Sequence, residues 1–375
     1  MVNKFIPVNE PLLIGNEKKY LNECINSGWI SSEGPFVGKF ENKFAKIIGK
    51  KYGIAVSSGT AAIEISFATL KLKPGDEVIM PAFTIISCIL PIIRTGAIPI
   101  LIDADPETWN MNVLEVEKKI NHKTKAILVS HIYGLPVDMN PILKLKKKYK
   151  LKLIEDSAEA QGLKYNNSYC GSFGDLSIFS FYSNKLITSG EGGMILTNDY
   201  NLAKECKSIK NLCFNKGEKR FIHNNLGWNY RMTNLQAAVG LAQLERWKLN
   251  LKKKIYIGNS YNKLLKNCKN IQTPLSKNQF SKNVYWIYGI VLKDQFRNKL
   301  SQVVKKLRKL NIDTRPFFCP MHLQPILKKM GYFKKISLPV SEEIFKNGFY
   351  IPCGLSLTDK QIKTVSKSLY KVLNK

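Results

Sequence analysis

Short apolar runs alternate with amphipathic segments through the N-terminal half of the chain. The amphipathic segments repeat their apolar positions every three or four residues, which is the spacing of a helix face. The predicted strands are Ile54–Val56, Glu77–Met80, Ile98–Ile102, Ala126–Ser130 and Leu151–Glu155. The predicted helices between them are Thr60–Leu70, Thr84–Thr95, Val113–Ile120 and Pro141–Tyr149. This alternation predicts a mostly parallel sheet covered by helices on both faces.

The rest of the pattern predicts a helical N-terminus and a smaller C-terminal domain. Two helices, Glu17–Asn26 and Phe36–Ile48, precede the first strand. Thr233 caps a helix that is predicted to continue past Trp247 toward Leu265. The later predicted elements are a strand over Val284–Leu292 and helices over Leu300–Leu310, Glu342–Asn347 and Asp359–Leu373. We therefore predict an arm and a large α/β domain at residues 1–247, and a linker helix with a small α+β domain at residues 248–375.

The composition is that of an ordinary enzyme in every respect except charge. No apolar run is long enough to span a bilayer, and the N-terminus lacks the apolar core of a signal peptide. We therefore expect a cytoplasmic protein with no membrane partner. The eight cysteines are scattered without a Cys-x-x-Cys pair. We expect reduced thiols and no metal site.

The net charge of +30 allows two interpretations. One is a surface that binds nucleic acid, and the other is a composition biased toward lysine. Only seven of the 58 basic residues are arginine, although arginine is the residue that base recognition and bidentate phosphate contacts favour. The lysines are also spread along predicted helices. We expect no nucleic-acid partner.

The stretch from Asp175 to Gly193 carries the first candidate for chemistry. Leu176–Phe181 alternates apolar residues with serines, as a strand does, and ends in a polar turn that presents Lys185. A glycine-rich segment follows at once. A lysine in this setting is typical of one that forms a Schiff base with a phosphate-bearing cofactor. A solvated loop lysine is the commoner case in a lysine-rich chain, so the assignment of Lys185 depends on the residues at the other strand ends.

Two other strand ends supply what such a cofactor requires. Asp156 follows a strand and could pair with a pyridinium nitrogen, although a helix N-cap is the simpler role. Ser58-Gly59-Thr60 join a strand to an apolar helix, whose N-terminus offers free N–H groups to a phosphate. Helix capping alone would also explain these residues. Phosphate cradle, acid and lysine follow one another in this order in the fold-type-I pyridoxal phosphate enzymes.

The chain resembles the DegT/DnrJ/StrS family of nucleotide-sugar aminotransferases over nearly its whole length. The matching blocks are Gly28–Pro35, Ser58–Thr60, Pro81–Thr84, His131–Gly134, Glu155–Glu159, Phe179–Gly193 and Gly227–Met232. The resemblance implies a fold-type-I aminotransferase with pyridoxal phosphate as cofactor. It also implies that Lys185 is the Schiff-base lysine and the acid–base group, and that Asp156 is the partner of the ring nitrogen.

Further roles are implied by the resemblance alone. Phe83 would lie flat on the cofactor ring, and Glu159 would lie near its hydroxyl, where many family members have histidine. Ser180 would join Ser58, Gly59 and Thr60 at the phosphate. Asn229 would reach the phosphate from the neighbouring subunit, which implies a homodimer with shared active sites. The candidates for binding the sugar and its diphosphate are Trp29, Ser31, His131, Tyr133, Arg220, Arg231, Arg315 and His322.

The implied reaction moves an amino group from L-glutamate to C4 of a 4-keto-6-deoxy nucleotide sugar. The first expectation is GDP-4-keto-6-deoxy-mannose, and a dTDP- or UDP-linked sugar is the alternative. Sugar dehydratases of the same family have histidine in place of the lysine, so Lys185 argues against that activity. The presence of the lysine, the acid and the phosphate-binding residues also argues against a binding protein without activity.

Overall fold

The computed structural model describes residues 5–214 and 219–373. Its strands are, in chain order, β1 (Tyr52–Val56), β2 (Glu77–Pro81), β3 (Ile98–Ile102), β4 (Thr124–Ser130), β5 (Lys152–Asp156), β6 (Lys164–Tyr165), β7 (Ser168–Tyr169), β8 (Leu176–Ser180), β9 (Gly193–Thr197), β10 (Ile271–Gln272), β11 (Tyr288–Leu292), β12 (Arg315–Pro316) and β13 (Gly348–Ile351). Its α-helices are α1 (Glu17–Ser27), α2 (Pro35–Ile48), α3 (Gly59–Leu70), α4 (Leu90–Arg94), α5 (Met139–Tyr149), α6 (Tyr200–Ile209), α7 (Asn234–Glu245), α8 (Trp247–Leu265), α9 (Leu300–Lys309), α10 (Pro325–Lys329), α11 (Pro339–Asn347) and α12 (Asp359–Leu373).

A seven-stranded sheet with the order β1-β9-β8-β5-β4-β2-β3 forms the centre of the large domain. Strand β9 pairs antiparallel with both of its neighbours, and the other pairs are parallel. Successive strand residues enter different cores: Val78 packs with α3 on one face, and Ile79 packs with α5 on the other. The prediction of a mostly parallel sheet covered on both faces is confirmed.

Two predicted helices of the large domain are much less regular in the structure. The segment predicted as a helix over Thr84–Thr95 forms a 3₁₀ turn at Ile86–Cys88 and then the short α4. Pro91 explains the break, because proline has no N–H to donate and its ring clashes with the preceding turn. The predicted helix over Val113–Ile120 is instead a pair of 3₁₀ turns.

Two predictions in the C-terminal part also need correction. The long helix after Thr233 is two helices, because Arg246 has φ −101° and ψ 0° between α7 and α8. Thr233 does cap α7, with Gln236 completing a capping box. The strand predicted over Val284–Leu292 is confined to β11. Tyr285 has a left-handed backbone with φ +51°, so the chain is not extended at that point.

The small domain is a four-stranded antiparallel sheet of order β10-β11-β13-β12. Helices α8, α9 and α12 share its apolar core, and Ile6 of the N-terminal arm enters the same core. The arm is also tied by its backbone, since Ile6 accepts the N–H of Asp313 (3.0 Å) and Val8 accepts that of Cys353 (3.0 Å). The arm therefore packs on the last part of the chain. The domain boundary at residue 247 stays a prediction.

The described part of the chain contains no helix with the length and apolar character that a bilayer crossing requires. All eight cysteines are free thiols, and all except Cys319 are buried.

Candidate active site

Five of the predicted site residues stand at the carboxyl ends of strands in the central sheet. Ser58 follows β1, Phe83 follows β2, His131 follows β4, Asp156 ends β5 and Lys185 follows β8. These strands share one direction, so their carboxyl ends lie along the same edge of the sheet. Strand polarity thus gathers residues that are far apart in sequence.

Lys185 is held by a tight turn after β8. Its backbone N–H donates to the carbonyl of Tyr182 at 2.9 Å, and its ammonium lies 3.8 Å from the centre of the Trp286 ring. Burial of the ammonium lowers the pKa of Lys185, while the charges of Glu159 and Asp156 oppose that change. The side chain therefore loses its proton more readily than a surface lysine does.

Glu159 is a buried carboxyl that faces the lysine. Its Oε2 accepts the backbone N–H of Tyr133 at 3.0 Å, and Tyr133 holds an uncommon left-handed backbone with φ +56°. Burial raises the pKa of Glu159 to about 8, against the opposing effect of Lys185. Near neutral pH this carboxyl is therefore largely protonated, and it can donate a hydrogen bond as well as accept one.

Asp156 is fixed from both its side chain and its backbone. Its Oδ1 accepts the N–H of Ala158 at 3.0 Å, and its carbonyl accepts the N–H of His131 at 3.1 Å. The residue is only 3% exposed. The carboxylate therefore has a defined orientation at the edge of the sheet.

The four predicted phosphate ligands meet where α3 begins. The hydroxyl of Ser58 accepts the N–H of Ala61 at 3.0 Å and caps the helix. A Cβ on Gly59 would come within 2.8 Å of the Cβ of Ser180, so β8 stands directly against the first turn of α3. Free N–H groups of that turn and the neighbouring hydroxyls, Thr60 included, form an arrangement that suits an anion.

Phe83 belongs to an aromatic cluster between the large and small domains. Its ring meets Tyr133 edge to face at 5.8 Å and lies 6.0 Å from Phe317 and 6.1 Å from Phe318. The hydroxyl of Tyr133 accepts the N–H of Phe318 at 3.2 Å. Both predicted ligands, Phe83 and Tyr133, are thus buried next to the strand ends.

The segment that carries Asn229 runs along the free edge of β1. The N–H of Ser57 donates to the carbonyl of Tyr230 at 2.9 Å, and Arg231 forms a bridge with Val56. The guanidinium of Arg231 donates to Asn211 within its own subunit. Asn229 itself is exposed. Residues 215–218, in the long segment predicted from Leu212 to Tyr230, lie outside the described residues.

A cavity of about 180 Å³ shares Trp286 with the surroundings of Lys185. Its other walls come from the arm, the turn after β8 and the small domain, and include Asn9, Tyr182, Asn184, Arg315 and Tyr350. Of the predicted sugar-binding residues, only Arg315 lines it. The sequence analysis did not identify the other residues that line the cavity. One signal in the sequence is the aromatic run from Tyr285 to Tyr288, although its pattern predicts an ordinary strand.

Trp29, Ser31 and Arg220 do not line this cavity. The carbonyls of Trp29 and Ser31 hold Asn234 at the start of α7, at 2.6 and 2.9 Å, and the Trp29 side chain is exposed. The guanidinium of Arg220 lies 5.2 Å from the Phe214 ring. Within one subunit these residues are therefore available to a partner molecule and not to the cavity.

His131 is fully buried and both of its ring nitrogens are engaged. Nδ1 accepts the N–H of Val137 at 3.1 Å, so Nε2 carries the proton and donates to Glu155 at 3.0 Å. Cys170 lies close enough to complete a possible metal-ligand set. The ring has no free lone pair for a metal, however, and Glu155 also accepts three backbone N–H groups. His131 and Glu155 form a hydrogen-bonded pair, and His131 has no free ring atom for a sugar.

His322 lies near Phe83, since the neighbouring Met321 donates its N–H to the carbonyl of Ala82 at 2.9 Å. Its Nε2 pairs with Glu342 at 3.0 Å. Its Nδ1 is buried and has no hydrogen-bond partner in the described part of the chain. An unpaired buried nitrogen is uncommon, so Nδ1 has a hydrogen-bonding capacity that the described residues do not use.

The chain is similar to known proteins over nearly its whole length. A model described as the DegT/DnrJ/EryC1/StrS aminotransferase family matches residues 11–370. GDP-perosamine synthase from Escherichia coli O157:H7 is 41% identical and covers 98% of each chain. The enzyme of the same name from Vibrio cholerae is 38% identical, over 98% of this chain and 99% of that one. The crystal structure of NtdA from Bacillus subtilis with bound cofactor PMP is 28% identical, with a TM-score of 0.87, over 100% of this chain and 87% of that one.

Proposed function

The chain belongs to the DegT/DnrJ/EryC1/StrS aminotransferase family, and from that membership we propose that it forms GDP-perosamine. In this proposal an amino group moves from L-glutamate to C4 of GDP-4-keto-6-deoxy-mannose. The observation that carries the proposal is the 41% identity with GDP-perosamine synthase from Escherichia coli O157:H7 over 98% of both chains. Pyridoxal phosphate is the cofactor.

The residues at the sheet edge fit this cofactor. The start of α3 with Ser58, Gly59 and Ser180 would hold the phosphate, because hydroxyls and free N–H groups converge there. Asp156 would pair with the ring nitrogen. When bound, the cofactor supplies an electron sink for the charge left when a substrate carbon loses a proton. Glu159, protonated near neutral pH, would face the ring hydroxyl.

Lys185 would move the proton. Burial lowers its pKa, and an amine that can be neutral near the working pH serves as a base and then as an acid. The Trp286 ring and the carboxyls of Glu159 and Asp156 surround the ammonium in its free form. These groups would hold the lysine beside the reacting carbon while it carries the proton.

Arg315 is our candidate for an anionic group of the substrate. It lines the cavity beside Trp286, and its guanidinium is more than half exposed. A guanidinium is well matched to a carboxylate or a phosphate. His322, with its unpaired Nδ1, is a second candidate on the large-domain side.

The active site is proposed to be shared between two subunits. Asn229 is exposed at the free edge of β1, and Phe221 and Leu226 on the same segment are exposed apolar residues at 78% and 95%. A second copy of the chain would cover them. Mixing inactive Lys185→Ala and Asn229→Ala subunits should restore activity, because one of the hybrid's two sites has both wild-type groups. If each variant is inactive alone and the mixed dimer is inactive too, the shared site is contradicted.

Turnover with matched nucleotide sugars tests the proposed substrate. The enzyme should aminate GDP-4-keto-6-deoxy-mannose with glutamate as donor, and much more slowly the dTDP- and UDP-linked 4-keto-6-deoxy sugars. Faster amination of a dTDP- or UDP-linked sugar would overturn the GDP assignment but keep the aminotransferase. Absence of amination with all three would overturn the proposed reaction.

A further inference from the structure

Behind Asp156 lies a ring of four side chains, joined by three hydrogen bonds and one further contact, that the proposed reaction does not use. The thiol of Cys88 donates to Oδ2 of Asp156 at 3.2 Å, and the hydroxyl of Ser130 donates to the same oxygen at 3.3 Å. The hydroxyl of Thr84 donates to Ser130 at 3.2 Å and also touches the sulfur of Cys88 at 3.5 Å. All four residues are at most 3% exposed.

One arrangement of the protons in this ring gives the Asp156 carboxylate two hydrogen-bond donors. Each of the three hydroxyl and thiol groups has a single proton to donate. The Thr84 proton goes to Ser130, the Ser130 proton goes to Asp156, and the Cys88 proton goes to Asp156. The contact between Thr84 and Cys88 then needs no proton. Two donors therefore converge on Oδ2, while Oδ1 is held by Ala158.

Cys88 remains a thiol in this setting. Burial raises the pKa of Cys88 well above its usual value, and the neighbouring charge of Asp156 raises it further. A protonated thiol can donate to a carboxylate, whereas a thiolate would repel it. The irregular backbone at Ile86–Cys88 places the thiol there, at the point where a regular helix was predicted.

We propose that Cys88 and Ser130 are positioning residues that orient the carboxylate of Asp156 and stabilise its charge opposite the ring nitrogen of pyridoxal phosphate. The inference rests on the proposed role of Asp156. Two donors on Oδ2 restrict rotation of the carboxylate, so the group keeps one orientation toward the ring nitrogen. Loss of either donor should loosen the carboxylate and weaken cofactor binding.

Simple core packing is the competing explanation, and the chain offers a matched control for it. Cys206 is also fully buried, belongs to the same apolar core as Cys88, and contacts a threonine hydroxyl, Thr69, at 3.4 Å. It has no contact with Asp156 among its hydrogen bonds in the described residues. Replacing Cys206 therefore removes a buried thiol without touching the carboxylate.

The test is titration of apoenzyme with pyridoxal phosphate, followed by the visible absorbance of the bound form. Cys88→Ala should raise the Kd roughly tenfold, which corresponds to ~1.4 kcal/mol, and shift the absorbance band. Cys206→Ala should leave the Kd within about twofold of wild type and the absorbance band in place, since it removes only packing. Cys88→Ser should recover most of the affinity because it restores a donor. When Asp156 is already replaced by asparagine, adding Cys88→Ala should not raise the Kd for pyridoxal phosphate any further.

Three results would overturn the inference. They are an unchanged Kd for Cys88→Ala, equal losses for Cys88→Ala and Cys206→Ala, or a loss that persists in the Asp156→Asn background. If Cys88→Ala does not fold, Ser130→Ala removes the second donor and carries the same predictions. A wild-type protein that binds no pyridoxal phosphate would instead contradict the cofactor, and the proposed function with it.

Discussion

The cofactor end and the substrate side of the candidate site are built in different ways. Ser58, Phe83, Asp156 and Lys185 come from the strand ends of one sheet. The cavity on the substrate side is assembled from the arm, the turn after β8, and β12 and β13 of the small domain. The first region is gathered by strand direction, and the second depends on how two domains and an arm pack together. A change at the cofactor end should therefore affect every substrate, while a change on the other side should discriminate among them.

Replacement of Lys185 is the most severe way to break the cofactor end. Lys185→Ala should lose at least about 10²–10⁴-fold in turnover, the typical value of a positioned acid–base group. The measurement is steady-state amination of the keto sugar. In wild type, borohydride reduction followed by peptide mapping should place the cofactor label on Lys185.

Lys50 is the matched control for this labelling. It is also buried, burial lowers the pKa of Lys50, and its Nζ donates to the carbonyl of Gly174 at 2.6 Å. It stands outside the strand-end site, so it should remain unlabelled. A label on Lys50 or any other lysine would remove the basis for the whole site.

Gly59→Ala tests whether the phosphate end is as closely packed as the structure indicates. The added Cβ would lie 2.8 Å from the Cβ of Ser180, so one of the two elements must move. Overpacking of this kind costs ~1–3 kcal/mol, and we expect pyridoxal phosphate to bind roughly ten- to a hundredfold more weakly. Equilibrium titration measures this Kd.

Gly38→Ala provides the control. Gly38 lies in α2, and a Cβ there would meet nothing within 4 Å. Alanine in an exposed helix position should raise the free energy of unfolding by ~0.5–1 kcal/mol and leave the cofactor Kd unchanged. Equal cofactor affinity in both alanine variants would mean that the Gly59–Ser180 contact does not shape the phosphate site.

Arg315→Gln should affect the substrate side alone. Loss of a charged hydrogen bond should raise KM about tenfold for the substrate that the arginine contacts, with kcat and the cofactor absorbance little changed. Arg308→Gln is the control, because both guanidiniums pair with Asp313 but only Arg315 lines the cavity. Similar KM values in the two variants would show that the cavity does not bind substrate through Arg315.

Glu159 lies between the two regions, and its titration should appear in the pH dependence of stability. Burial raises the pKa of Glu159 to about 8, above the unfolded value of about 4.5. Between these values the folded protein holds a proton that the unfolded chain has lost, so its free energy of unfolding falls as pH rises from about 5 to 8. The opposing effect of Lys185 is already included in this pKa, so the change in the free energy of unfolding is set by the shift itself and amounts to several kcal/mol, at ~1.4 kcal/mol per pKa unit.

The comparison for this prediction is Glu159→Gln, which cannot ionise. Urea unfolding of both apoproteins from pH 5 to pH 9 should show wild type losing stability relative to the variant up to about pH 8, and a constant difference above it. A difference that stays the same across the whole range would mean that Glu159 is already ionised at pH 5.

The strand ends that carry the candidate cofactor residues are predictable, because short apolar strands bounded by turn residues can be located to within a residue or two. β1, β5 and β8 end next to Ser58, at Asp156 and just before Lys185. The substrate side has no such local signal. The sequence pattern predicts an ordinary strand at Trp286, but Tyr285 before it has a left-handed backbone and the Trp286 ring lies against Lys185. The helix predicted over Thr84–Thr95 failed for a similar reason, because its apolar spacing was helical while Pro91 and tertiary contacts prevented a regular helix.

The N-terminal arm has a consequence for the chain during its synthesis. Residues 5–9 leave the ribosome roughly three hundred residues before their backbone partners at Asp313 and Cys353. All strands of the central sheet precede residue 200, so that sheet can form while the arm still lacks its partners. Val8 and Asn9 line the cavity. A nascent chain that has not yet exposed Cys353 would therefore carry a complete central sheet and an open cavity.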